Sequence, residues 1–141
     1  MAANNRFSTS IHIMTILAYR ESEGATSQTL AKSVNTNAVV VRRLLSQLRQ
    51  AGLIDCQSGK SGGCHLAKSA EQITLADVYN AVEAGGPFNI PQKEENKACI
   101  VSCQMKEILI GVFEQTKKAI QESLKRMSVA DLLKSVEKAA A

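Results

Sequence analysis

The sequence has no apolar run long enough to cross a membrane, and its first ten residues contain no basic flank followed by a long hydrophobic stretch. A membrane-spanning helix needs about 20 consecutive apolar residues, and a secretory signal needs both of those features. We therefore expect neither a signal peptide nor a membrane span, and we predict a cytoplasmic protein. Hydrophobic residues still make up 45% of the 141, which is enough for one compact domain with an extension.

Motifs for catalysis are lacking as well. The sequence contains no paired-carboxylate site, no visible nucleophile and base constellation and no metal-binding motif. Its one glycine-rich segment with a lysine, GKSGG at residues 59–63, does not lie between a strand and a helix as a phosphate-binding loop does. These absences predict a protein that is not an enzyme.

The net charge of +4 is unevenly distributed. Residues 1–70 contain eight Lys or Arg against three Asp or Glu, whereas residues 71–141 contain nine against ten. A positive N-terminal half suits the phosphate backbone of a nucleic acid, although charge alone indicates this only weakly.

Three helices are predicted in this positive half. The first ends at Tyr19, the second begins at Thr26 or Ser27, and the third runs from the polar residues 35–37 to Ala51. The third helix has an apolar face at helical spacing, and arginines occupy much of its remaining surface. That apolar face consists of Val41, Leu44, Leu45 and Leu48. Two short helices joined tightly, the second of them basic, are typical of a helix-turn-helix.

The segment after the third helix is predicted to form a β-hairpin. Residues 53–54 and 65–67 are the strand residues, and the glycine-rich residues 58–63 form the turn. Directly after a basic helix, such a hairpin is typical of a wing, in which Lys60 and Ser61 meet a phosphate or enter the minor groove. The alternative is an ordinary flexible turn with a solvated lysine.

The C-terminal half combines a loop with a long periodic stretch. Thr74 with Asp77 predicts a capped fourth helix, and residues 84–98 contain both prolines and form a linker or an ordered loop. Beyond the loop, an apolar stripe continues for about six helical turns, which is longer than a small domain needs and implies a partner helix. The stripe consists of Met105, Ile108, Leu109, Val112, Thr116, Ala119, Ile120, Leu124 and Met127. A last helix, capped by Ser128, folds back on the protein or crosses to a partner subunit.

Three blocks in order carry a resemblance to a known family over nearly the full chain. They are TLAKSVNTNAVVVRRLLSQLRQAGLI, GKSGGCHLAK and ITLADVYNAVEAGG. The chain resembles the Rrf2 (BadM/Rrf) family of winged-helix transcription regulators. The resemblance implies a mainly α fold with a small β-hairpin wing and a long C-terminal dimerisation helix. It divides the chain into a winged helix-turn-helix at 1–83, a linker loop at 84–98, and a dimerisation helix with a C-terminal helix at 99–141.

The same resemblance implies double-stranded operator DNA as a partner and candidate residues for its recognition. Arg42 falls where the family places a base-reading side chain, and an arginine there suits the edge of guanine. Ser27 and Gln28 begin the preceding helix and are expected to contact phosphate, while Lys60 is the wing-tip cation beside Ser61. The other residues expected on the DNA-facing surface are Thr36, Asn37, Val39, Arg43 and Arg49. For Arg43 and Arg49, a solvated helix surface is the alternative.

The cysteines separate the chain from cluster-binding relatives. Those relatives have three cysteines before the long helix, whereas this chain has Cys99 and Cys103 only, so we expect no cofactor and keep an iron–sulfur cluster as an alternative. The pair is a candidate for thiol redox sensing, because the helix dipole and Lys97 favour the thiolate form of Cys99. The other interpretation is two small hydrophobic residues in a dimer interface. For Cys56 and Cys64, across the hairpin from each other, we expect reduced, packed side chains in preference to a disulfide.

The leading interpretation is a homodimeric, sequence-specific DNA-binding regulator that acts as a repressor, with redox control through Cys99 and Cys103 as a hypothesis. Two alternatives stay open. One is a regulator that depends on an iron–sulfur cluster, and the other is a winged-helix module that binds protein without DNA.

Overall fold

A computed structural model describes residues 5–59, 62–83 and 85–141. In these ranges the chain forms six α-helices, a short 3-10 turn and one antiparallel hairpin, so the predicted fold class is confirmed. In chain order the elements are α1 (Arg6–Tyr19), α2 (Ser27–Val34), α3 (Ala38–Gln50), β1 (Ile54–Gln57), β2 (Gly63–Leu66), the 3-10 turn (Ala70–Gln72), α4 (Leu75–Val82), α5 (Ile100–Lys125) and α6 (Val129–Ala140). No helix of the described residues has the length and apolar character to cross a membrane.

Side-chain caps set where α2 and α3 begin. The Thr26 hydroxyl accepts a hydrogen bond from the Thr29 backbone N–H at 3.1 Å, and Asn37 Oδ1 accepts one from the Val39 N–H at 2.7 Å. Between the two helices, Asn35 has a φ of 61°, a left-handed conformation that asparagine tolerates better than most residues. The two helices are therefore joined by residues 35–37 alone, which is the tight turn that a helix-turn-helix requires.

One apolar core joins the first four helices and the hairpin. The predicted inner face of α3 is buried, with Val41, Leu44 and Leu48 at most 1% exposed. These side chains belong to the same cluster as Ile13 and Leu17 of α1. Burial of the apolar face fixes the rotation of α3 about its own axis, so its basic face is turned outward.

The backbone of Ala25 pairs with β2 on the side opposite β1. Cys56 pairs with Cys64 between β1 and β2. On the other side of β2, Ala25 donates to the Cys64 carbonyl at 3.1 Å and accepts from the Cys64 N–H at 2.8 Å. β2 is therefore held from both sides, whereas β1 is an edge strand within the described residues.

The last helix folds back onto the N-terminal half of the same chain. The Leu75 N–H donates to the Met127 carbonyl and the Val129 N–H donates to the Ile73 carbonyl, both at 2.8 Å. Val129 is fully buried in the core that contains α1 to α4. The sequence allowed α6 either to fold back on the protein or to cross to a partner subunit, and in the structure it folds back. The first turn of α6 thus contributes Val129 to the core of the first four helices.

The long helix α5 has two adjacent apolar faces where the sequence predicted one stripe. One face is partly buried beside α4 and the preceding loop, with Phe113 against Phe88 at 5.3 Å between ring centroids. Its members are Leu109, Phe113, Thr116, Ile120 and Leu124. The other face is 38–58% exposed and consists of Val101, Met105, Ile108 and Val112. We call this second set the exposed stripe of α5.

Candidate nucleic-acid interface

The outward surface of α3 is basic and accessible. Arg42, Arg43 and Arg49 are all exposed. Within the described residues the ion pairs are Arg6 with Glu83 and Arg20 with Glu23, so the three arginines of α3 have no carboxylate partner there. Their charge is therefore available to an anionic ligand.

A groove of about 460 Å³ lies between α3 and the hairpin. Arg42 and Arg49 line it from α3, and Ser27 lines it from the first turn of α2. The other lining residues are Thr26, Leu45, Ser46, Cys56, Gln57, Ser58, Gly59, Gly62, Gly63 and Cys64. Among the described residues, this lining contains two guanidinium groups and no carboxylate. We call it the reading groove, since its electrostatics favour a polyanion.

The hairpin approaches the reading groove through a turn that has no room for a side chain at Gly62. The Gly62 N–H donates to the Gly59 carbonyl at 2.9 Å. A Cβ at Gly62 would lie 2.5 Å from the carbonyl oxygen of Gln57 and 2.8 Å from that of Gly59, which is far inside van der Waals contact. Glycine at this position therefore allows the tight turn that carries the tip of the wing.

The structure brings together part of the predicted DNA-facing set. Ser27, Arg42 and Arg49 share the reading groove, whereas Thr36 lines a separate hollow of about 400 Å³ between the start of α1 and the turn before α3. The predicted wing-tip contacts, residues 60–61, lie outside the described residues.

Four further predicted residues lie outside the reading groove. Gln28 and Arg43 are exposed. Val39 is 52% exposed at the start of α3, and an apolar side chain there suits contact with a thymine methyl group. Asn37 already uses its Oδ1 to cap α3, so its amide nitrogen is the group left for a ligand.

Sequence reasoning missed several polar groups of the reading groove. Ser46 follows Arg42 by four residues, so helical spacing alone would have placed both on one face. Thr26 was assigned as a helix cap only. Gln57 and Ser58 reach the groove because of how the hairpin packs against α3, which no local pattern reports.

The expectation of reduced side chains at Cys56 and Cys64 is wrong, because these residues form a disulfide. Both backbone hydrogen bonds of Cys64 are made to Ala25, so Cys56 and Cys64 form a non-hydrogen-bonded pair of the hairpin. Opposed Cα atoms come closest at such pairs, and here they are 4.1 Å apart. The two sulfurs are thereby held next to each other in the lining of the reading groove.

The second cysteine pair lies at the start of α5. Cys99 is the N-cap of α5, and its N–H donates to the Asn96 carbonyl at 2.9 Å. The Cys103 thiol donates to the same carbonyl, with 3.6 Å between sulfur and oxygen. Both are free thiols and both are partly buried. Within one chain, therefore, neither of these two sulfurs forms a disulfide.

The chain has two tightly joined helices followed by a wing, and a basic groove lies between the second of these helices and the wing. These features define a winged-helix DNA-binding protein. A family model described as "Iron-dependent Transcriptional regulator" matches residues 3–135. The chain belongs to this family, Rrf2, as its sequence motifs indicated. It is a transcriptional regulator, and its relatives are regulators rather than enzymes.

Relatives of known sequence or structure agree with this membership. YwnA of Bacillus subtilis, named as an HTH-type transcriptional regulator, is 32% identical over 130 residues, which cover 92% of this chain and 96% of YwnA. IscR of T. potens has a TM-score of 0.73 at 24% identity, covering 100% of this chain and 92% of IscR. CymR of B. subtilis, described as the global cysteine regulator, has a TM-score of 0.67 at 24% identity, covering 96% and 98%. The two solved structures share the fold with this chain.

The family description names iron, but the residues that the structure describes do not fit an iron site within one protomer. A thiolate-bound cluster needs about four ligands. Cys56 and Cys64 are joined in the disulfide, which leaves Cys99 and Cys103 as free thiols. The described residues contain no group of three His, Cys, Asp or Glu side chains placed to hold a metal ion.

Proposed function

We propose that this regulator is a homodimeric repressor that reads an operator through α3 and the wing. The reading groove carries the proposal, since it places Arg42 and Arg49 beside the hairpin with no carboxylate in its described lining. The ligand that fits is a polyanion whose own groove can admit α3. The major groove of DNA is wide enough for a helix.

In the proposed complex, α3 enters the major groove. Arg42 bonds the O6/N7 edge of a guanine, and Val39 contacts a thymine methyl group. Ser27 and Gln28 at the start of α2 contact phosphate and hold the orientation of α3, as backbone contacts do in other helix-turn-helix proteins. The wing tip, with Lys60 and Ser61, reaches the adjacent phosphates or minor groove.

The proposed dimer forms through the exposed stripe of α5. None of the 26 residues of α5 is buried in the protomer. An apolar stripe along a long helix is stabilised by a second copy, since two such stripes bury each other around a two-fold axis. A two-fold dimer also presents two α3 helices to successive major grooves.

The proposal gives Cys99 and Cys103 a regulatory role and gives the protein no iron–sulfur cofactor. Hydrogen peroxide would take one proton and one electron from a thiol of each subunit. The two sulfurs would join in an intersubunit disulfide, and the peroxide would be reduced to two molecules of water. The free thiols at the start of α5 support this, because a bond there would alter the angle between the dimer helices. Binding to operator DNA before and after mild peroxide, with wild type and Cys99→Ser, tests it. Equal affinity in all four samples would exclude the switch.

The salt dependence of DNA binding tests the proposed function itself. The probe is a duplex recovered by selection from a random library, and the measurement is fluorescence anisotropy between 50 and 200 mM salt. We expect the affinity to fall by about 10³ or more, because each phosphate contact releases a condensed counterion. A winged-helix module that binds only protein would enrich no duplex, and that result would refute the proposal.

A further inference from the structure

We propose that the Cys56–Cys64 disulfide is a redox site which sets how firmly the wing is held for DNA, and that small thiols and disulfides exchange with it from the reading groove. This inference rests on the proposed DNA-reading function and adds a second point of control to it. The site is distinct from the cysteine pair at the start of α5.

The disulfide lies just below the tip of the wing. Beyond the Cys56–Cys64 pair, the described part of the hairpin contains one further pair, Gln57 with Gly63, and the turn follows. The turn backbone is rich in glycine, which has the largest conformational freedom to lose on ordering. A covalent link one pair below such a turn is therefore expected to restrict the conformational freedom of the loop.

The link joins β2, which is hydrogen-bonded on both sides, to β1, which is an edge strand within the described residues. Cys64 is 6% exposed, and both of its backbone hydrogen bonds are made to Ala25. These contacts are expected to hold Cys64 in place when the disulfide is reduced. Cys56 lies on the edge strand β1, which leads directly to Gln57 and Ser58 in the lining of the reading groove. Reduction removes the covalent link near the end of β1, so that backbone pairing such as Gln57 with Gly63 is left to hold β1 to β2 there, and β2 stays in place.

Cys56 is the more accessible of the two cysteines and is the sulfur that we propose a small thiol attacks. Both cysteines line the reading groove, but Cys56 is partly buried whereas Cys64 is only 6% exposed. A small thiolate attacks the Cys56 sulfur, forms a mixed disulfide and releases the Cys64 thiolate, and a second thiol then frees Cys56. In the reverse direction a small disulfide accepts two electrons from the cysteine pair and leaves as two thiols.

The oxidised wing is expected to bind DNA more tightly. A loop that is already ordered loses less conformational entropy on binding, and a link that closes a short loop gives an effect of about tenfold in affinity. By thermodynamic reciprocity, operator DNA shifts the exchange equilibrium toward the disulfide by the same factor. Proteins that meet DNA inside cells work in a reducing compartment, where a disulfide is commonly transient and reports on redox state.

The test uses the full-length chain with Cys99→Ser and Cys103→Ser, so that the wing pair is the only redox-active group. Affinity for the selected duplex is measured after equilibration with oxidised or reduced dithiothreitol. We expect binding about tenfold tighter in the oxidised sample. Cys56→Ala in the same background is the matched control, since it keeps Cys64 in the core. It should bind like the reduced sample in both buffers, with an unchanged circular dichroism spectrum.

Two outcomes separate this inference from the proposed function. Equal affinity in both buffers, with thiol titration confirming that the wing pair had changed state, overturns the redox site and leaves the DNA-reading function intact. If the wild type does not prefer the selected duplex over random DNA, whether oxidised or reduced, then both the redox inference and the DNA-reading function are overturned. A redox response that persists in Cys56→Ala also overturns the inference, because the responding group would then lie elsewhere.

Discussion

Arg42 lies on the wall of the reading groove, one helical turn before Ser46. We expect Arg42→Ala to weaken binding to the selected duplex by about 10- to 100-fold, which is the range for loss of a bidentate arginine contact to guanine. The preference at one base position should relax as well. Arg126→Ala removes the same charge from the end of α5 and should leave both properties nearly unchanged. Equal losses in the two variants would mean that only net charge matters.

Alanine substitutions at Gly24 and Gly52 test how closely the base of the wing is packed. Both have a positive φ, 69° and 77°. A Cβ at Gly24 would lie 2.5 Å from the His65 ring, whereas nothing lies within 4 Å of one at Gly52. In urea unfolding, Gly52→Ala should cost about 1 kcal/mol for the backbone alone. Gly24→Ala should cost on the order of 3 kcal/mol because the clash is added. Equal costs would contradict this packing.

At the scale of residues, the sequence predicted side chains whose role depends on helical position and missed those that depend on tertiary packing. Arg42 and Arg49 could be placed because the buried face of α3 was readable from its spacing. The sequence placed Cys56 and Cys64 across the hairpin but did not predict their bond, because it did not show which residues of the hairpin form non-hydrogen-bonded pairs. In the structure the Cys64 backbone bonds to Ala25, 39 residues earlier in the chain, and this leaves Cys56 and Cys64 as such a pair. Neither the hairpin pattern nor the cysteine spacing reports that contact.

Among the helices, α6 offers a test of capping that depends on pH. The Ser128 backbone N–H donates to Asp131 at 2.9 Å, and the Ser128 hydroxyl accepts from the Asp131 N–H at 3.1 Å. The hydrogen bonds from Ser128 lower the pKa of Asp131 below its ordinary value. Because the folded pKa is the lower one, the stabilisation is present above the ordinary carboxyl pKa of about 4 and is lost as the pH falls through the folded value.

We therefore expect the stability difference between wild type and Asp131→Asn to shrink as the pH falls from 6 to 3. Denaturant unfolding at a series of pH values measures this difference, and subtraction removes the contributions of all other groups. A difference that stays constant across the series would show that the Asp131 charge does not contribute to the cap.

Helix ends were easier to predict than helix faces. The caps at Thr74 and Ser128 are local patterns, and both form the expected reciprocal hydrogen bonds. The stripe of α5 was predicted as one face because Ile108 and Leu109 are neighbours around the helix. Only the packing of α4 and the preceding loop separates the partly buried face from the exposed stripe, and a single sequence does not contain that information.

For the whole molecule, the proposed dimer is tested by a matched pair of substitutions on α5. Ile108 belongs to the exposed stripe and is 56% exposed, while Ile110 is 46% exposed. Two residues apart, they lie about 200° apart around the helix. Ile108→Lys should give a monomer in sedimentation velocity, because it buries an unpaired charge in the interface. Ile110→Lys should remain a dimer. Monomers in neither variant, or in both alike, would contradict an interface on the exposed stripe.

The central claim is that two copies of α3 and the wing read one DNA site together. Hydroxyl-radical footprinting of the wild-type protein on the selected duplex tests it most directly. We expect two protected regions on one face of the duplex, related by a two-fold axis and centred about one helical turn, or a whole number of turns, apart. Protection of a single half-site, or uniform protection without a preferred position, would contradict the claim.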